Sequence, residues 1–258
     1  MKQFVAFFKK EYMEFVRSSK CMIITIMAVV YGILGPAMAK LMPWIMEMNA
    51  EAMESSGIIM STQISVDALI SWDQFFSNIL ILLIIVFITF SGIFTVEYQK
   101  GTLINMLTKR LKRRNVVLSK FLLMFIVWTA TYSVAFGVSY AYNEYYWDNS
   151  IAQNLLFAFV CIYILGVWII SLITLGSTLY DSNMAVMLMT GMVFAIMYLA
   201  NMIKKISKYL PVSLTGVQEL VHGNGNIENY IVTLTVTGAL AIINIIVAVN
   251  VFNKKTFK

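Results

Sequence analysis

The sequence predicts an all-α polytopic membrane protein with six transmembrane helices. Three observations lead there: a composition too apolar for a water-soluble surface, a set of long uncharged intervals, and an uneven distribution of Lys and Arg around them. Of 258 residues, 60% are hydrophobic and 12% charged, less than half the charged share of an ordinary soluble domain. Part of the surface must therefore face lipid.

The intervals give the spans. Nineteen uncharged residues separate Lys20 from Lys40, 23 separate Asp73 from Glu97, 23 separate Lys120 from Glu144, 22 separate Asp181 from Lys204, and 25 separate Glu228 from Lys254. A helix needs about 20 apolar residues to cross a hydrocarbon core of ~30 Å. The interval from Asp148 to Asp181 is longer but opens with Asn149, Ser150, Gln153 and Asn154, so its span is placed from Leu155. The expected spans are about 21–41, 75–96, 118–141, 155–180, 183–203 and 229–252. Continuous apolar runs of this length exclude the alternating strands of a membrane barrel. The first run is followed by Ala37-Met38-Ala39, which resembles a signal cleavage site, but it is longer than a signal core and is expected to be retained.

Orientation follows from the basic residues. Lys2, Lys9, Lys10, Arg17 and Lys20 precede span one, seven Lys and Arg lie between spans two and three, and three lie in the tail. Lys40, Lys204, Lys205 and Lys208 fall on the other side. This asymmetry places both termini in the cytoplasm. It also accounts for the net charge of +6 through topology and anionic lipid, with no need of nucleic acid. Cys21 and Cys161 fall near opposite membrane faces, too far apart for a disulfide, and no metal site is expected.

Residues 2–17 read as an amphipathic interfacial helix. Phe4, Phe7, Phe8, Tyr12 and Phe15 share a face, and Lys2, Lys9, Lys10 and Arg17 gather on the other, which would lay the rings in the acyl boundary. Glu11 interrupts the aromatic face, either reaching headgroup water at its edge or pairing with a basic residue of a neighbouring loop. In span one, Gly32, Gly35 and Pro36 permit a kink or close packing. Trp128 and Trp168 lie deep in spans three and four, as packing residues or as lining for a substrate path.

The sharpest signal is the loop after span two, Glu97-Tyr-Gln-Lys-Gly101-Thr102-Leu103-Ile104-Asn-Met106-Leu107-Thr-Lys109. Gly101 can end one helix and Thr102 can cap another. Over 101–108 the apolar Leu103, Ile104, Met106 and Leu107 would face a protein partner, and the basic run that follows returns to the membrane. The 206–221 stretch, too short to span, is expected to form a short interfacial or re-entrant outer helix. His222, the only histidine, is read there as incidental.

Several chemistries are absent. There is no Gly-x-x-x-x-Gly-Lys-Ser/Thr phosphate loop, no His-Glu-x-x-His and no Gly-x-Ser-x-Gly, and the spans hold almost no ionisable residues for ion-coupled transport.

Lys10-Glu11 and Arg17 on the amino-terminal helix, six spans, and Glu97-x-x-x-Gly101-Thr102-Leu103 with Leu107-Thr108-Lys109 between spans two and three together resemble the ABC-2-type permeases. These are the transmembrane subunits of the second exporter class of ATP-binding cassette transporters. The resemblance covers nearly the whole chain, although Arg110-Leu111-Lys112 stands where many relatives have proline and a small residue.

It implies a single permease domain over 1–258, multi-pass in a bacterial cell membrane, with residues 2–17 as connecting helix and Gly101 to Leu107 as coupling helix. The implied partners are a cytoplasmic ATPase subunit, which would hold ATP and Mg, and a second permease, identical or homologous. The permease itself would bind no cofactor and catalyse nothing; its apolar spans and aromatic residues point to a hydrophobic or amphipathic peptide as the exported cargo, or alternatively a lipid or drug. The remaining alternative is a six-span protein outside this family, an immunity factor or an intramembrane enzyme.

Overall fold

The computed structural model describes residues 2–54, 66–103 and 111–255. Among these there is no strand. The amino-terminal helix covers Lys2–Val16, and six helical spans follow: Ser19–Met48, Ala68–Gln99, Arg113–Tyr146, Leu155–Leu179, Asn183–Ala200 and Ile227–Lys254. Several overrun their uncharged intervals, because a helix keeps its hydrogen-bond pattern past the edge of the hydrocarbon.

Close approach, more than apolar character, sets the packing, since lipid tails are as apolar as any side chain. The helix of span one continues unbroken through Pro36 and Pro43. Proline has no N–H to offer the carbonyl four residues earlier. For Pro36 that carbonyl belongs to Gly32, and it accepts instead from the Ser139 hydroxyl of span three at 2.5 Å. The glycines serve the same contact: a Cβ on Gly32 would lie 2.6 Å from the Ala135 carbonyl oxygen, and one on Gly35 2.9 Å from that of Ser71. The close packing expected of this triplet is observed. The Tyr31 hydroxyl adds a hydrogen bond to the Phe75 carbonyl.

Span four is the most buried of the six and span five the least. Gly166 of span four lies directly beneath the Trp128 indole, into which a Cβ would project. Trp128 is fully buried, stacks on Tyr132 with ring centroids 5.2 Å apart, and donates its indole N–H to the Tyr163 carbonyl at 3.0 Å. Trp168 is equally buried. Both are packing residues that hold spans three and four to the core. Of the two roles expected for Trp128 and Trp168, packing is the one their burial supports.

Span two is broken twice. Asn78 separates Ala68–Ser77 from Ile79–Ser91, its amide donating to the Gln74 carbonyl at 2.8 Å. A second break at residues 92–94 precedes the short helix Thr95–Gln99.

At the end of the bundle opposite the termini, the expected outer helix over 206–221 is three pieces: Lys204–Ser207, a 3-10 turn Pro211–Gly216, and Gln218–Val221. Pro211 forces Leu210 into an extended conformation, which interrupts the helix. The segment is pinned down by the Gln153 N–H to the Val221 carbonyl at 2.9 Å and by Gln218 to Ser77 at 2.6 Å. His222 is not incidental: its Nε2 lies 2.8 Å from an Asp73 carboxylate oxygen. An acid 149 positions away in the chain leaves no local sequence signal.

Gly166→Ala is expected to destabilise the bundle by about 1–3 kcal/mol, since the Trp128 indole is too tightly packed to move aside. Gly137→Ala on the lipid-facing side of span three, with nothing within 4 Å of the new Cβ, should not. Thermal unfolding of the two variants in detergent measures the difference.

Candidate functional site

The residues flanking the loop after span two meet the amino-terminal helix at the end of the bundle where the termini lie. Positions 4, 7, 8, 11 and 15 of that helix fall within one broad stripe, as the 3.6-residue period requires. The stripe is turned onto the protein. Phe7 is buried in a cluster with Phe94, Leu103, Val116, Val117, Ala248 and Phe252, and Phe15 stacks on Phe90 of span two with centroids 5.9 Å apart. Phe4 stacks along the helix on Phe8 at 6.4 Å. Tyr12 is exposed, as is Arg17. The expectation that the rings insert into the acyl boundary is therefore corrected for Phe7 and Phe15, because spans two and three offer them a protein surface.

Glu11 is buried at the centre of this stripe. One of its carboxylate oxygens accepts from Lys120 Nζ at 2.8 Å and the other from Lys10 Nζ at 2.9 Å. Glu97 is placed between the same two lysines, 2.8 Å from Lys10 Nζ and 2.9 Å from Lys120 Nζ. Lys10 also reaches Glu14 at 3.1 Å. Of the two readings of Glu11, pairing with a basic residue is the observed one.

Lys120 carries the arrangement. Its side chain is 1% exposed, and a buried ammonium persists only where opposite charge and hydrogen bonds replace water. The two carboxylates supply the charge. The third partner comes from the break in span two: once the helix is interrupted at residues 92–94, the Ile93 carbonyl is released and accepts from Lys120 Nζ at 2.9 Å. The Phe94 and Phe7 rings stand 5.4 and 5.9 Å from the ammonium, within cation–π range. For Lys10, partial burial works against the charged form. The hydrogen bond it donates to Glu97 and the charge of Glu11 outweigh it and hold the ammonium above the ordinary lysine pKa.

Oxygen atoms of Glu11, Glu14 and Glu97 lie within 4.8 Å of one another, close enough in principle for a metal ion. Two ammonium groups already occupy that space, so the group is an ionic clasp between three elements: the amino-terminal helix, the end of span two and the first turns of span three.

Past the clasp the chain turns at Gly101, whose φ of +65° lies in the region glycine adopts without strain. The Thr102 hydroxyl reaches back to the Glu97 carbonyl at 3.5 Å, and Thr102 is exposed. Leu103 is fully buried. It therefore anchors the start of the segment instead of offering itself to a partner, which corrects its expected exposure. Ile104, Met106 and Leu107 lie outside the described residues.

A second set of contacts closes the same end. Arg113 donates to the Phe252 and Asn253 carbonyls at 3.2 and 3.1 Å, capping carbonyls left open at the end of the last helix. Lys255 pairs with Asp181 at 2.6 Å.

Sequence reasoning placed Glu11 and Glu97 but missed Lys120 and Lys10 as their partners. A signal existed in Lys120: it stands immediately before an apolar interval and just after the basic run, at a depth where an unpaired lysine is costly.

The family model for the ABC-2 family transporter protein matches residues 5–210. The chain belongs to that family. No curated protein and no solved structure matches it. Every residue of the clasp lies inside the matched region, and the sixth span lies beyond it. The ABC-2 permease is the membrane component of a transporter and not itself a catalyst, and the alternative of a six-span protein outside the family is set aside.

Within the permease, Lys120→Met should destabilise by about 3–5 kcal/mol, because it strands two buried carboxylates. Glu11→Gln should cost less, and combining the two should cost less than the separate losses together. A double-mutant cycle by thermal unfolding in detergent tests this coupling.

The pH response follows from the sign of the Lys10 shift. A raised folded-state pKa contributes stability that is complete below the unfolded lysine value and is lost as pH rises through the folded one. Protection of the amino-terminal helix against limited proteolysis should thus hold unchanged from about pH 7 to about pH 9 and fail only in stronger alkali.

Proposed function

We propose that this permease forms half of the conduit of an ATP-driven exporter in a bacterial cell membrane. A separate cytoplasmic ATPase subunit powers it, and a second permease, identical or homologous, completes the conduit. The single observation that carries the reading is the clasp. It ties the entry to the Gly101–Leu107 segment, through Glu97, to the connecting helix, through Glu11, and to the first turns of span three, through Lys120. A displacement of that segment that reaches Glu97 cannot leave the clasp behind, since parting its members would expose a buried ion pair. It is passed to the connecting helix and to span three together.

ATP and Mg belong to the partner in this reading. The orientation with both termini in the cytoplasm is supported by the basic-residue count; both terminal helices, Glu97, Lys120 and Asp181 share one end of the bundle, so they share whichever side that is. The cargo is a hydrophobic or amphipathic peptide, with a lipid or a drug as the second reading, since the exposed faces of the spans are apolar.

The docking test uses Leu107→Asp, because Leu103→Asp would introduce a charge into the core. A detergent-solubilised wild-type chain should retain an ATPase subunit in a pull-down, and the folded Leu107→Asp variant should lose it. Retention by the folded variant would remove the coupling role from this segment. In a Cys21→Ser background, Ser65→Cys should react with an impermeant thiol reagent applied outside the cell and Asn115→Cys should not. The reverse pattern would invert the topology.

A further inference from the structure

Lys204, Lys205 and Lys208 break the charge asymmetry of the chain, standing at the end of the bundle opposite the termini. All three are exposed, and none forms an ion pair among the described residues. Two of them adjoin a cleft of about 430 Å³ at the junction of spans five and six. Lys204 and Lys208 line it together with Ser207, Ser213, Asn229 and Tyr230, and Glu219 contributes one carboxylate. The wall is held in shape by hydrogen bonds from Tyr230 to the Gly216 carbonyl at 2.7 Å and from Thr233 to the Lys208 carbonyl at 2.7 Å.

The flanks of the cleft are of a different character. Leu199, Met202 and Ile203 are 66%, 80% and 56% exposed immediately before Lys204, and Ile227 and Ile231 are exposed on the facing helix of span six. Apolar side chains this bare belong against acyl chains. Lysines that follow such residues directly in the chain are where a long basic side chain extends to lipid phosphates.

We propose that this cleft binds the headgroup of an anionic glycerophospholipid of the phosphatidylglycerol type, drawn from the leaflet opposite the termini. Lys204 and Lys208 take the phosphodiester, the hydroxyl and amide side chains take the glycerol hydroxyls, and the acyl chains run down the exposed faces of spans five and six. The charges select the class. Among the lining residues, two ammonium groups and the Glu219 carboxylate leave a single positive charge, which a phosphodiester carrying no other charge neutralises. A zwitterionic headgroup would leave it unmatched. A free phosphate would occupy only a fraction of the cleft and would gain nothing from its apolar flanks. The site is independent of which cargo the permease moves and of whether an ATPase is bound.

The test is photo-crosslinking of the full chain in phosphatidylcholine nanodiscs, using a phosphatidylglycerol analogue with a photoreactive headgroup and mapping the labelled peptides. Label is expected in residues 201–233. The Lys204→Gln/Lys208→Gln double variant should reduce it by an order of magnitude or more, given the attraction each surface lysine contributes. Labelling near Lys112 and Arg114 at the other face should persist and shows that the variant is folded and embedded. The Lys204→Arg/Lys208→Arg variant should retain the label. Unchanged labelling of 201–233 in the glutamine variant, or equal labelling by a phosphatidylcholine analogue, would overturn the proposal. Loss of label on adding soluble glycerol phosphate would reassign the cleft to a free phosphate ester and overturn the lipid assignment.

Discussion

The cytoplasmic-side architecture proposed for this permease depends on one buried ammonium. Lys120 is inaccessible to water, and its charge is tolerated only because Glu11, Glu97 and the Ile93 carbonyl converge on it. Each partner comes from a different element, so satisfying one charge fixes three backbones. An apolar residue at this position would pack without demanding any particular geometry. A buried charge has essentially one acceptable arrangement, and losing any part of it leaves a group that neither lipid nor core can solvate. The break in span two belongs to the same constraint, since an unbroken helix would have kept the Ile93 carbonyl for itself.

Elsewhere the fold solves a related problem by other means. Helices in lipid gain little from apolar contact as such, so their association rests on close approach and on backbone groups that need partners. Pro36 leaves the Gly32 carbonyl without its helical donor, Ser139 provides one, and the missing side chain of Gly32 lets span three come near enough for it to do so. Gly166 beneath Trp128 repeats the logic between spans three and four. At the opposite end, polar contacts among Asp73, His222, Gln153 and Gln218 secure the segment between spans five and six. The bundle is thus closed by polar contacts at both ends and by small-residue packing between them.

Half of the candidate site is legible in the amino-acid sequence. Glu11 stands out as a carboxylate on an aromatic face, and Glu97 as the charge that ends an apolar interval. Each oddity marks a group in need of a partner. The identity of the partner is not readable there, since Lys120 lies 109 positions from Glu11 and several nearby lysines and arginines would have served equally on charge alone. Leu103 shows the opposite limit. An apolar residue in a loop reads as exposed and ready to dock, yet the Phe7, Phe94 and Phe252 cluster buries it. Nothing local distinguishes an apolar side chain that meets a partner from one that meets its own core.

By itself the sequence determined the all-α class and the six spans, because the cost of placing charge and unpaired backbone in hydrocarbon is a local property that each interval expresses alone. It also carried the family membership, through a pattern distributed along residues 5–210. Tertiary structure alone decided which lysine meets which carboxylate, that the aromatic face of the first helix turns to protein, that Trp128 and Trp168 are core, and that His222 has an acid beside it. Those outcomes depend on which helix faces lie together. In a membrane every apolar face is equally content with lipid, so the choice rests on small residues and stranded polar groups whose partners are far away in the chain.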